Sequence, residues 1–215
     1  MNKLRIAKDV NALGGAQGTV TTTEGVSGYQ EVLVLFIDKG YTQIQEHRNN
    51  WKFMRKMAQT PLNSTTNTYV NADIAKVEKI IYNQTKLKFV PYADWILRDH
   101  ATGAPAEYTI SDIDSSVIFN PLDATYLTDL YYWSVPDVMT LNSSIPVLPI
   151  QYHDLLVFKG LMGLGTYLGN YDLVNEYSEK YDIMMGQMMR TECPQIELKA
   201  EPFATGSNYH RRNFV

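Results

Sequence analysis

The stretch TYLTDLYYW, residues 125–133, alternates with period two: Tyr126, Thr128, Leu130 and Tyr132 share one face. An amphipathic helix would repeat its apolar residues every three or four positions, so this run reads as a strand with one face buried. Its upstream neighbours are similar. TNTYV (66–70), VEKIIY (77–82), LKFV (87–90), EYTI (107–110) and SVIFN (116–120) are rich in Thr, Tyr, Val and Ile and are separated by Pro, Gly, Asn and Asp. Such spacing predicts an antiparallel meander or small sandwich over 52–149, with 92–105 as a longer excursion from the sheet.

Outward from this region the period changes. Tyr29, Val32, Leu33, Phe36, Ile37, Tyr41 and Ile44 keep the i, i+3, i+4, i+7 spacing of one buried helical face, which predicts a helix over about 29–48 with Ser27 as its cap. Trp51 and Phe53 should pack just after its end. Beyond the strands, SVPDVMTLNSSIPVLP (134–149) is a connector with three prolines. Helical spacing returns through Leu155, Leu156, Phe158, Leu161, Leu164, Tyr167 and Leu168. After a break at Gly169-Asn170 it resumes through Val174, Tyr177, Tyr181, Met184, Met185 and Met188. So short a break predicts an antiparallel helical hairpin. The glycines at 160, 163 and 165 predict a close helix crossing rather than a phosphate loop, because they lie inside an apolar-periodic helix. The resulting expectation is α+β. The helices of 29–51 and 150–190 form a bundle and the β-region is inserted between them. Residues 1–28 are a glycine-rich flexible arm, and 191–215 an extended tail.

Composition sets bounds. The 215 residues are 45% hydrophobic and 20% charged, which excludes a wholly disordered chain. The longest apolar run, VLVLFI at 32–37, is far short of the roughly 18 residues that span a bilayer, so no membrane association is expected. The formal charge is −4, and since residues 1–10 and 199–215 each carry +2, the middle carries −8. A protein that grips nucleic acid through its phosphates is usually basic. The single cysteine, Cys193, forms no internal disulfide and reads as an incidental thiol.

Chemistry is sparse. The histidines at 47, 100, 153 and 210 form no HxH, HExxH or Cys–His spacing, so neither metal nor cofactor is expected. His153 reads as a surface or interface residue, and His100 beside Asp99 makes a poor catalytic dyad. SDIDSS (111–116) starts like a calcium loop but has Val117 where the glycine belongs, so it reads as a solvated turn. EGVSG (24–28) lacks the first glycine of a nucleophile elbow. No enzyme is expected.

Four stretches carry a family resemblance: the aromatic-ended helix YQEVLVLFIDKGYTQIQEHRNNW (29–51); the pair GAPAEYTI (103–110) and SSVIFNPLDATYLTDLYYWSVP (115–136); the proline-rich link ending at Leu148-Pro149; and the closing helices from Tyr152 to Met188. In this order they resemble the phage head-to-tail adaptor (connector) family, the tail tubular protein A type. The arm before residue 29 and the tail after 190 lie outside that pattern.

The resemblance implies a structural virion protein, made in the host cytoplasm and placed at the head–tail junction. Twelve copies form a ring beneath the portal protein, extend the DNA channel and give a tail, nozzle or stopper protein its docking surface. The genome passes through without sequence-specific binding. The C-terminal segment would grip the portal, with Phe203, Tyr209, His210, Arg211, Arg212 and the closing Phe214-Val215 as its candidates, and Tyr167, Tyr177, Tyr181 and Met185 would serve lateral ring contacts. Two other readings stay open. One is a tail-completion or terminator ring; the other is a carbohydrate- or peptide-binding β-module using Tyr92 and Trp95 as stacking platforms.

Overall fold

The alternation at 125–133 becomes a central strand. In the computed structural model, which describes residues 1–15, 18–48, 50–63, 65 and 67–193, the helices are α1 (Lys3–Leu13), α2 (Tyr29–Glu46), α3 (Tyr92–Trp95), α4 (Asp154–Leu168) and α5 (Tyr171–Glu192). The strands are β1 (Arg55–Leu62), β2 (Thr68–Tyr69), β3 (Ile74–Tyr82), β4 (Thr85–Lys86), β5 (Lys88–Phe89), β6 (Glu107–Ile110), β7 (Val117–Phe119) and β8 (Tyr126–Ser134). The fold is α+β, with sheet orders β1-β8-β3-β4 and β2-β7-β6-β5. Pairing is antiparallel except between β5 and β6, which run parallel, against the all-antiparallel expectation.

β8 buries Thr128, Leu130 and Tyr132, as its period requires, and turns Leu127, Asp129, Tyr131 and Trp133 to the other face. Leu62, Ile80, Tyr108, Val117 and Phe119 meet Leu130 and Tyr132 in a core shared by the two sheets. β3 is less regular. Its inner residues Ile74, Val77 and Ile80 lie three apart, because the register against β8 shifts between Ile74 and Lys76 and again between Val77 and Lys79. Each bulge adds one residue, so a period of three still keeps one face inward.

The helices bury a second core. Ile6, Ala7 and Val10 of α1, Leu33, Ile37 and Ile44 of α2, and Leu155, Leu156, Leu161 and Leu164 of α4 are all fully buried. Each large side chain among them contributes about 1.5–3 kcal/mol by leaving water. α4 packs against α1, α2 and α5. The predicted close crossing is present: a Cβ on Gly160 would stand 2.8 Å from Val10 Cγ2, and one on Gly163 would stand 2.4 Å from Phe36 Cγ. The predicted break is a left-handed Gly169 (φ 70°) that ends α4, followed by Asn170, whose side chain caps α5. Trp51 is fully buried, donates its indole N–H to Ile44 O at 3.0 Å and stacks on Phe53.

The described residues of 1–28 correct the expectation of a flexible arm. Lys3–Leu13 is a helix whose Ile6, Ala7 and Val10 enter the core, and Asn2 caps it. Three apolar positions give a weak stripe, which the following glycines obscure. Thr23 and Val20 are also buried. Gly28, not Ser27, occupies the cap position of α2, with no side-chain cap. Residues 135–149, counted with the β-region from sequence, instead run along the helices and place Met139 and Leu148 in their core. Among the described residues no helix is long and apolar enough to cross a membrane.

Candidate functional site

The chemical candidates resolve into packing. His153 is 2% exposed, against the expectation of a surface residue. Its Nε2 lies 2.8 Å from Leu148 O and its Nδ1 2.5 Å from the Met1 amino group. Burial pushes its pKa below the ordinary value, partly opposed by the hydrogen bond to Leu148. His100 stacks on Trp95 with ring centroids 3.8 Å apart and places Nε2 3.0 Å from Trp95 O. Trp95 is therefore buried under His100, and the stacking platform proposed for PYADW is already covered by the chain itself. Tyr92 is half-buried beside it.

The SDIDSS turn satisfies itself. Ser111 N donates to Ser116 O, and Asp114 Oδ1 accepts from Ser116 N at 3.1 Å. Hydrogen bonds from Ser111 and Ser116 hold the Asp114 carboxyl below its usual range. Cys193 is half-buried at the end of α5, and burial raises its thiol pKa, the opposite of activation. Among the described residues no group of three or more His, Cys, Asp or Glu is arranged to hold a metal ion.

The interface candidates separate. Tyr177 and Met185 are 7% and 4% exposed and belong to the core of the protomer; Phe158 packs on Tyr177, with ring centroids 5.8 Å apart. Tyr181 is half-buried with Lys159 Nζ 4.9 Å above its ring, and burial pushes its phenol up to about 12. Of the four, Tyr167 alone is exposed, at 58%. It stands at the hairpin tip with exposed Leu168 and Tyr171. Phe203, Tyr209, His210, Arg211, Arg212, Phe214 and Val215 lie outside the described residues.

Two surfaces were not singled out in the sequence. The first is the connector, a strap fastened over α1 and α2. Lys3 N donates to Ser144 O, and the buried Lys3 ammonium donates to Met139 O at 2.7 Å and to Asp38 Oδ2 at 2.8 Å. Burial raises the Asp38 pKa, an effect that Lys3 opposes. Asn142 Oδ1 accepts from Thr23 N at 2.6 Å and Thr23 Oγ1 at 2.8 Å, and Gln45 exchanges two hydrogen bonds with the backbone of Asp137. Tyr41 OH accepts from Val147 N at 3.0 Å, and burial raises its pKa. With its polar groups tied down, the strap turns Val138, Leu141 and Ile145 outward, and Ile150 just beyond its end is exposed too.

The second surface is the outer face of the β1-β8-β3 sheet. Register places Arg55 opposite Trp133 and Met57 opposite Tyr131 on one side, and Lys76 opposite Trp133 and Lys79 opposite Tyr131 on the other. Arg55 reaches across β8 to a bidentate pair with Glu78, at 2.6 and 2.9 Å. In doing so it sets its guanidinium 5.6 Å from the Tyr131 ring centre and 5.7 Å from that of Trp133. Lys79 Nζ sits 4.8 Å from the Tyr131 ring. Aromatic, Met and Arg side chains of this kind are enriched where proteins meet proteins. Alternation in TYLTDLYYW gave the second face of β8; what hid the patch was β1, whose RKMAQTPL contains Pro61 and few strand-forming residues.

Comparison with known proteins adds the family. A family model described as SU10 adaptor protein matches residues 5–198, so the chain belongs to this family of phage adaptor proteins. No curated protein matches it.

Proposed function

We propose that this adaptor is a structural component of the phage neck that assembles as a ring beneath the portal, joins head to tail and extends the channel through which DNA leaves. The family match across 5–198 carries the reading. In it α1, α2, α4 and α5 act as one bundle that gives the ring its rigidity, and the β-region faces the neighbouring tail component. The net charge of −4 supports passage of DNA without adhesion, since like charge keeps a polyanion from the wall. A ring requires head-to-tail contacts between copies, for which exposed apolar and aromatic groups on rigid elements are suited. Twelve copies would match the symmetry usual for portals.

The tail after Cys193 is proposed as the portal-gripping segment. Its sequence places Phe203, Tyr209 and Phe214 around Arg211 and Arg212, and aromatic and arginine side chains are the kind that anchor protein interfaces. The test is a chain ending at Cys193, which retains the Lys52–Thr191 and Tyr152–Thr191 hydrogen bonds that hold the end of α5. Mixed with filled heads that lack the protein, the full chain should bind and restore tail attachment, while the shortened chain should melt like the full one and stay unbound. Equal binding by both would remove the role given to the tail. Complete heads beside aberrant tails in particles lacking the protein would instead identify a terminator ring.

A further inference from the structure

The outer face of the first sheet has more order than a solvated surface needs. Lys76 and Lys79 are three residues apart and would point to opposite faces of a regular strand. The register shift between Val77 and Lys79 puts both on the outer face, opposite Trp133 and Tyr131. Neither lysine has an ion pair among the described residues, whereas Arg55 is bound to Glu78 and Lys56 to Asp73. Met57 and Leu127, 53% and 55% exposed, extend the apolar part of the patch. The result is an aromatic centre with two cations that lack an ion pair among the described residues, exposed Lys76 and half-buried Lys79, the latter resting on the Tyr131 ring.

Elsewhere on the same chain lies its electrostatic complement. Asp172, Glu176, Glu179 and Asp182 are exposed along α5 at spacings of four, three and three residues, a row about 15 Å long. Glu176 is engaged with Lys180 at 2.6 Å, but Asp172, Glu179 and Asp182 have no ion pair among the described residues. Ile183, 58% exposed, adjoins the row. Within one copy, no ion pair joins the two surfaces among the described residues, and the buried residues of sheet and helix belong to different cores.

We propose that the outer face of the β1-β8-β3 sheet docks on the α5 row of a second copy of this chain, with Lys76 and Lys79 meeting Glu179 and Asp182 around Tyr131 and Trp133. Two different surfaces of one molecule joined in this way make a head-to-tail contact, which propagates and closes into a ring when the rotation allows. The inference rests on the ring reading and names the surfaces that build it. Arg55, fixed by Glu78, holds the aromatic pair in place before contact, so little side-chain freedom is lost on docking.

The test uses the full-length chain and three variants: K76E/K79E, E179K/D182K and the combination of all four changes. Each is measured by sedimentation equilibrium at low and high salt and by attachment to filled heads lacking the protein. Thermal melting checks the fold, since Lys76, Glu179 and Asp182 are exposed and Lys79 is half-buried. Each double variant should weaken self-association about a hundredfold through like-charge contacts, and the fourfold variant should recover most of it. Wild-type association should fall with salt. Double variants that associate like wild type, a fourfold variant that stays dissociated, or a wild-type chain that self-associates neither free nor on heads would each overturn the proposal. So would a K76E/K79E variant that assembles normally but loses retention of duplex DNA, which would assign the face to nucleic acid. If the wild type ignores heads yet shows the charge-swap pattern in solution, the neck reading falls and the interface stands.

Discussion

Gly160 and Gly186 both lie inside long helices, yet alanine should act on them with opposite signs. In a solvated helix, Gly→Ala stabilises by about 0.5–1 kcal/mol because glycine has more freedom to lose on folding. At Gly186 nothing stands within 4 Å of the added Cβ, so the full gain should appear. At Gly160 the Cβ would meet Val10 Cγ2 at 2.8 Å, Val10 Cγ1 at 3.3 Å and Ile37 Cγ1 at 3.2 Å. Val10 and Ile37 are both fully buried and β-branched, so neither can swing aside without disturbing the α1–α4 and α2–α4 contacts. Overpacking of this kind costs about 1–3 kcal/mol, which outweighs the propensity gain. G160A should therefore be less stable by about 1–2 kcal/mol, and G186A more stable by about 0.5–1 kcal/mol. For a chain of this length these correspond to melting shifts of about −2 to −8 °C and +1 to +4 °C. Urea unfolding followed by circular dichroism, with thermal melts, reads both. A G160A variant as stabilised as G186A would refute the close crossing on which the arrangement of α1, α2 and α4 rests.

His153 should make stability depend on pH. Its folded pKa lies below the ordinary value, so as pH falls the unfolded chain takes up the proton first. Stability is complete above about pH 7.5 and declines as pH drops through about 6.5 toward the folded value. His153→Gln should flatten that slope in urea titrations across pH 5–8 (about one pH unit either side of the change); an unchanged slope would show that another group is responsible. Asn142→Ala removes the acceptor of two Thr23 hydrogen bonds, and should cost about 1–3 kcal/mol and raise amide exchange in 19–24 and 135–149. Exchange unchanged in both segments would mean that the strap is held by its apolar contacts alone.

What could be read from sequence followed the strength of the period. α2, α4, α5 and β8 each repeat their apolar residues several times, and their structures follow the reading closely. α1 has only Ile6, Ala7 and Val10 to bury, and its partner surface lies on α4, far along the chain, so the helix depends on tertiary contact that local pattern does not contain. β1 is held by eight register pairs with β8 despite Pro61, since Pro61 stands on the strand at the edge of its sheet. The patch on the outer sheet face was hidden for the same reason. It assembles side chains from β1, β3 and β8, and only the bulges in β3 put Lys76 and Lys79 on the side of Tyr131 and Trp133. Tyr177 and Met185, chosen from the stripe on α5, proved to be the side of that helix turned to the protomer's own core. A stripe marks which face is buried, not what buries it.

The central claim is tested most directly by a reconstruction of intact virions at side-chain detail around the portal vertex. The account predicts a closed ring of this chain between portal and tail, its helices lining the passage and its C-terminal segment against the portal. A virion map with the portal joined to the tail by other proteins, and no copy of this chain between them, would contradict it.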